Sequence, residues 1–350
     1  MEQIILFAFL ILFPFGQIIK IGIVNPIDVV VGIAAIYAVI KRLPKPKIFI
    51  YFQKFLLIAS FSWVAGSLVF AKAQVFYGLL YLIRMATYFY FLVFVYQFKD
   101  KKLLLNSLLA VSIFSALFGW VQYLFYPDVR ALIEYGWDDH LYRMVGTFLD
   151  PAFLGLILVL GLIISLTKKK NLISLFLLAG IAFTYSRASF LAAFIPLVYK
   201  KAWVFLAIFI GLIVFLPRTA GEGVKLERTA SISARFENYR ESFEIFRKNA
   251  LFGVGFNNIC LSKDGDFSSH SCFGSESSLL FLLATTGILG FLSFTHLIFS
   301  VPLYTKNSML ITSFLAVFVH SFFANSLFYP WIMGYLMILL SISLRSKVES

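Results

Sequence analysis

"PAFLGLILVLGLIISLTKKKNLISLFLLAGIAF" (151–183) contains two apolar runs without a single charge, divided by three consecutive lysines. Apolar runs near the ~20 residues that cross a bilayer as a helix recur along nearly the whole chain. Of its 350 residues, 61% are hydrophobic and 13% charged, and mean hydropathy is +0.90. Soluble domains average roughly 45–50% apolar and about 25% charged residues, so a soluble domain could not hide this much apolar surface. The pattern is that of an all-α polytopic membrane protein. Twelve transmembrane helices are expected at about 3–19, 26–40, 51–71, 75–97, 103–126, 147–167, 171–186, 188–200, 202–217, 276–299, 308–326 and 330–344.

Twelve crossings put both termini on one side, and the basic turns choose which. "KRLPKPK" (41–47), "KDKK" (99–102), "KKK" (168–170), "KK" (200–201), Lys306 and "RSK" (345–347) all fall on the same face. That face is expected to be cytoplasmic. The opening "MEQIILFAFLILFPFG" lacks the basic region and small-residue cleavage site of a signal peptide, so it reads as a retained first span. The chain then divides into nine spans (1–217), one large outward loop (218–275) and three further spans (276–350). A smaller outward segment covers 127–146.

The large loop is rich in cations: Arg218, Lys225, Arg228, Arg235, Arg240, Arg247, Lys248 and Lys263. One reading is a solvated surface. The kind of cation supports another, because lysine dominates the inward turns and arginine the outward segments. Arginine's planar fork binds phosphate oxygens bidentately, whereas lysine acts mainly as a point charge. A phosphorylated ligand handled outside the cytoplasm fits that bias. The net charge of +13 suits anionic lipid head groups, so membrane lipids rather than nucleic acid are the expected partners of the charge.

Both cysteines, Cys260 and Cys272, lie in the same loop. In an oxidising compartment they would close a ring holding Asp264, Asp266 and His270, stabilising the fold by up to roughly 3 kcal/mol; two unrelated thiols are the alternative. "SISARFENYRESFEIFRKNALFGVG" (231–255) reads as an amphipathic helix capped by Ser231 or Ser233. Ile232, Phe236, Tyr239, Phe243 and Phe246 recur at three- and four-residue spacing. Arg235, Tyr239 and Ser242 share one edge, and "GVG" stops the helix.

"SSHSCFGSESSLLFLLATTGILG" (268–290) raises a question of cost, since a carboxylate at the mouth of a membrane helix is expensive to hold there. Glu276 is either a helix cap with Ser275 or a catalytic base, and His270 is the second candidate base. Arg84, inside the fourth span, is either a snorkelling residue or a contact to lipid phosphate. Asp150 caps the sixth span or orients Arg143. "DGD" (264–266) reads as a turn rather than a metal site. His320 and Asn325 line a cavity or bond between helices, and His296 is structural.

Four stretches together resemble the O-antigen ligase and polymerase superfamily of polytopic glycosyltransferases. They are "RMVGTFLDPAFLG" (143–155), "TYSRASFLAAF" (184–194), the helix and turn ending "NALFGVG" (233–255), and "ESSLLFLLATTGILG" (276–290). Their order around one large outer loop extends the resemblance over about 75–345. The resemblance implies an enzyme of the bacterial inner membrane that takes a glycan from undecaprenyl diphosphate at the periplasmic face. The acceptor would be a hydroxyl, the sugar carbon would invert, and no cofactor or metal would be needed. Arg187 and Arg235 match the family's arginines and would hold the diphosphate, with Arg143, Arg84 and Tyr239 as further contacts. Ligases of this family commonly have His eleven residues before the first helix glycine; here that position is Glu276.

The acceptor stays open between lipid A-core (a ligase), a second lipid-linked repeat unit (a polymerase) and a protein hydroxyl. A lipid-linked glycan transporter is the rival from another class, but no convincing internal repeat accompanies the spans. The orientation has a direct check. Cysteines introduced at Lys169 and Lys200 should be shielded from an impermeant thiol reagent in intact cells, and one at Glu222 should be labelled. The reverse pattern would invert the topology.

Overall fold

The structure is a computed structural model that describes residues 1–19, 24–70, 74–135, 137–218, 221–227, 229–263 and 274–345. The described residues are helical apart from short turns and one isolated bridge between Asp128 and Leu141. The helices are α1 (Glu2–Leu12), α2 (Pro26–Ile40), α3 (Phe49–Phe70), α4 (Val75–Val95), α5 (Lys101–Phe125), α6 (Pro151–Thr167) and α7 (Asn171–Phe183). They continue as α8 (Arg187–Tyr199), α9 (Trp203–Val214), α10 (Ala230–Lys248), α11 (Ile259–Ser262), α12 (Ser278–Tyr304), α13 (Ser308–His320) and α14 (Pro330–Arg345). Among the described residues, α3, α4, α5 and α12 are long and apolar enough to cross a membrane, and eight further apolar helices are shorter. The chain forms two compact units: Met1–Val30, Phe98–Arg228 and Asn307–His320 make the first; Val31–Gln97, Thr229–Lys306 and Ser321–Ser350 make the second.

Several expected spans are shorter in the structure, each for a local reason. The first helix stops at Leu12 because Pro14 and the left-handed Gly16 (φ 55°) turn the chain. Gly16 packs where a β-carbon would lie 2.4 Å from the Thr147 carbonyl oxygen. The sixth begins at Pro151, because Asp150 caps it by accepting from the backbone N–H of Ala152 (2.6 Å) and Phe153 (2.9 Å). The eleventh ends at His320. At 13 residues, α7, α8 and α13 are each about 20 Å long, against a hydrocarbon core of about 30 Å.

Three basic turns share one local solution. Arg42, Lys169 and Lys201 follow α2, α6 and α8 with left-handed backbone (φ 48°, 54° and 53°). After each, the next N–H bonds back five residues: Leu43 to Ala38, Lys170 to Ser165 and Ala202 to Leu197, at 2.9–3.0 Å. This is the Schellman arrangement, with a cation where glycine is usual. The strain of that backbone is offset by favourable interaction of the charge with the helix C-terminus.

In the first unit, α6 packs against α5, α7, α8 and α13. Small residues permit the close approach expected of membrane helices. A β-carbon on Gly161 would lie 2.4 Å from Cβ of Ser112, and one on Gly155 would lie 2.3 Å from Oγ of Ser189. Ser165 and Ser174 bond to one another (2.8 Å) across the α6–α7 turn.

In the second unit, α12 packs against α3 and α10, and α14 against α4. Helix α12 is broken at Gly287 (φ 64°, ψ −166°), a conformation essentially confined to glycine. The turn after α10 fills the break. Ile288 and Leu289 donate to the carbonyls of Ala250 (2.8 Å) and Leu251 (3.5 Å), and the Ala284 carbonyl accepts from Val254 N–H (3.0 Å). From α3, the Ser62 hydroxyl lies 2.7 Å from both the Thr285 and Phe252 carbonyls. A β-carbon on Gly287 would lie 2.4 Å from the Leu251 carbonyl, and one on Gly253 would lie 2.4 Å from that of Thr285. Gly287→Ala should therefore cost more than about 2 kcal/mol, seen as a lower Tm in detergent or failure to accumulate. Gly32→Ala, where nothing lies within 4 Å of the new methyl group, should be neutral or gain up to about 1 kcal/mol. Equal Tm values for the two variants would refute this account of the break.

Candidate functional site

The segment entering α12 is held by one edge of α10. Arg235, Asn238, Tyr239 and Ser242 follow the three- and four-residue spacing that puts side chains on one helix face. Arg235 Nε donates to Glu276 Oε2 at 2.6 Å, with side-chain exposures of 28% and 43%. Asn238 Oδ1 accepts from the Glu276 N–H (3.0 Å) and the Ser275 hydroxyl (3.1 Å). The Ser242 and Ser275 hydroxyls are 3.0 Å apart. Tyr239 donates its hydroxyl to the Phe322 carbonyl. Burial pushes the Tyr239 phenol up, and although Arg235 opposes the rise, it stays a protonated donor at neutral pH. Lys263 reaches Glu241 at 2.8 Å and ties the end of α11 to α10.

Two cap expectations change here. Helix α10 starts at Ala230, so Ser231 and Ser233 lie inside it, and the Ser233 hydroxyl bonds back to the Thr229 carbonyl (3.4 Å). The cap of α12 is Ser277, whose hydroxyl accepts from Leu280 N–H (3.5 Å). Glu276 sits one residue outside the cap, so its carboxylate serves the Arg235 pair rather than the helix end.

In the first unit, Arg187 is the first residue of α8, directly after its cap Ser186. Its Nη1 donates to the Leu226 carbonyl at 3.2 Å. Arg143 is buried, and its Nε donates to the Thr184 carbonyl at 3.1 Å. Its other nitrogens lie 3.5 Å from the Tyr185 carbonyl and from His140 Nδ1. Arg143 thus grips the turn that precedes Arg187. On α4, the Arg84 guanidinium stacks over the Tyr81 ring at 5.0 Å. His296 packs its ring against Tyr51 (4.9 Å).

Not every arginine belongs to such a cluster. Arg130 pairs with Asp128 at 2.7 Å, Arg218 with Glu227 at 3.3 Å and Arg240 with Glu244 at 3.1 Å, all on exposed surface. The bond from Arg130 holds the Asp128 carboxyl at about 2. Cys260 is buried and disulfide-bonded. Its expected partner Cys272 lies outside the described residues, as do His270, Asp264 and Asp266. Among the described residues no group of three His, Cys, Asp or Glu side chains could hold a metal ion.

The residue that sequence reasoning missed is Asn238. Its signal was its place three residues after Arg235 and one before Tyr239, on the edge already marked as polar.

Apolar helices, four of them among the described residues long enough to cross a bilayer, are the marks of a membrane protein. Residues 172–295 match the family model described as O-antigen ligase, which supports membership of the O-antigen ligase and polymerase superfamily and, at that level, a lipid-linked glycan transferase. No curated protein matches the chain. Arg187, Arg235 and Glu276 all lie inside the matched segment; Arg84 and Arg143 lie outside it.

The role of Asn238 is open to measurement. Asn238→Leu removes the acceptor for the Glu276 N–H, so amide exchange of the peptide covering 274–280 should quicken at least severalfold. Unchanged exchange there would mean that Asn238 does not hold the segment.

Proposed function

We propose that this protein is an O-antigen ligase: an inverting glycosyltransferase that moves a glycan from undecaprenyl diphosphate to a lipid A-core hydroxyl. The observation that carries the reading is the Arg235–Glu276 pair at the mouth of broken α12, within the segment that matches the family. In the proposed reaction the Glu276 carboxylate takes the proton of the acceptor hydroxyl. The oxygen attacks the sugar carbon opposite the diphosphate and forms the new glycosidic bond. The bond from that carbon to the diphosphate oxygen breaks, and its electron pair leaves on the phosphate. Arg235, bonded to Glu276 through Nε, would turn its forked Nη groups to the diphosphate and stabilise the charge that develops. Arg187 is proposed as a phosphate ligand in its own right. His270 remains the alternative base.

The same reading sets the membrane arrangement: twelve crossings, both termini cytoplasmic, and the 218–275 loop in the periplasm. It supports an inner-membrane enzyme of lipopolysaccharide assembly. One observation favours a second acceptor: a carboxylate stands at 276 where ligases of the resembled family commonly carry histidine. That departure favours a polymerase joining lipid-linked repeat units. The glycan profile of a deletion strain separates the two, since a ligase mutant accumulates polymerised lipid-linked glycan and a polymerase mutant accumulates single repeats.

Glu276→Gln keeps the shape of the side chain but cannot accept the proton, so turnover should fall by about 10²–10⁴ while the donor still binds. Near-normal turnover would move the base to His270 or elsewhere. Arg187→Lys and Arg235→Lys keep the charge and lose the fork. Both should lose most transfer activity at unchanged Tm; full activity in both would remove the bidentate diphosphate account.

A further inference from the structure

His320 ends the apolar helix α13 and is completely buried. Its Nε2 lies 3.4 Å from Ser189 Oγ on α8. Ser189 Oγ is also 2.9 Å from Ser186 Oγ and 3.1 Å from the Ala152 carbonyl. The Ser189 hydroxyl carries a single proton, which it directs at Ser186 Oγ and the Ala152 carbonyl. With that proton spent, Ser189 Oγ is left to accept from His320 Nε2–H. Ser186 is the residue that caps α8, accepting from Ser189 N–H at 3.3 Å, and Arg187 is the first residue of that helix.

The turn before Arg187 is therefore fixed from two sides. On one, Arg143 holds the Thr184 and Tyr185 carbonyls. On the other, His320 holds Ser189 and, through it, the capping hydroxyl. Gly155 makes room for the arrangement, since a β-carbon there would lie 2.3 Å from Ser189 Oγ and 3.3 Å from Thr184 Oγ1. A buried imidazole between apolar helices is costly unless its polar atoms are bonded, and packing alone would be served by leucine. We propose that His320 is a positioning residue for Arg187: through Ser189 and Ser186 it fixes where α8 begins and hence where the guanidinium points. The inference rests on the reading of Arg187 as a phosphate ligand.

Binding of undecaprenyl diphosphate to the purified full-length protein tests it. His320→Leu keeps apolar volume and removes the donor, so the Kd should weaken by about tenfold, the scale of one lost buried hydrogen bond. His320→Gln, whose amide N–H replaces Nε2–H, should restore most of the affinity. Ser189→Ala breaks the same link from the other side and should behave like His320→Leu, which keeps the test available if the leucine variant does not fold. The deciding measurement is the double-mutant cycle. In an Arg187→Lys background, His320→Leu or Ser189→Ala should weaken binding no further. Full additivity, or a leucine variant that lowers only Tm, would make His320 a packing residue and overturn the proposal. If Arg187→Lys alone leaves undecaprenyl diphosphate binding unchanged, the phosphate-ligand reading fails first and the positioning role falls with it.

Discussion

A helix in the hydrocarbon region cannot be interrupted unless every backbone group released by the break finds another partner. Helix α12 meets that requirement with the turn that follows α10. The Ala250, Leu251 and Val254 backbone groups pair with those released around Gly287, and Ser62 of α3 bonds the Thr285 carbonyl. Reciprocal glycines make this possible, because Gly253 and Gly287 each stand where a β-carbon would strike the other segment. The end of α10 is thereby locked to the middle of α12. With its lower end locked there, the upper turns of α10 lie beside the start of α12, and Arg235, Asn238 and Ser242 meet Ser275 and Glu276.

That arrangement also changes the energetics of the carboxylate. An isolated charge at a membrane-helix mouth is expensive, but Glu276 is half exposed, paired with Arg235, and carried on a backbone N–H that Asn238 accepts. In the proposed reaction the pair would join a proton acceptor to a phosphate-binding group through one hydrogen bond. A glycosyl transfer from a diphosphate needs both of these functions. The first unit treats its arginines differently. Arg143 is spent on backbone carbonyls, and its effect is to set the turn from which Arg187 extends.

The arginines thus separate into kinds that composition alone cannot distinguish. Arg130, Arg218 and Arg240 pair with nearby carboxylates on exposed surface, where such pairs contribute little. Arg143 is a buried clamp. Arg187 opens α8 and Arg235 lies in the second turn of α10, both inside the family segment. The arginine bias of these segments therefore reflects several roles, of which phosphate binding is proposed for only a few residues.

Sequence by itself determined what depends on local chemistry. Uncharged apolar runs had to be helices, the lysine clusters had to be their turns, and the spacing of Arg235, Tyr239 and Ser242 had to put them on one edge of α10. Asp150 before Pro151 was legible as a cap for the same reason, since a cap acts within three residues. Contacts made over long sequence separation were decided only by the tertiary structure. Nothing local marks the Gly287 break as the seat of residues 250–254, or moves the cap of α12 to Ser277 so that Glu276 is left to Arg235. Nor does local pattern join His320 to Ser189, 131 residues away. Such pairings follow from which backbone and side-chain groups are left unsatisfied once the helices pack. Only the packed chain reveals that remainder, because a buried polar group must find its partner in space rather than in sequence.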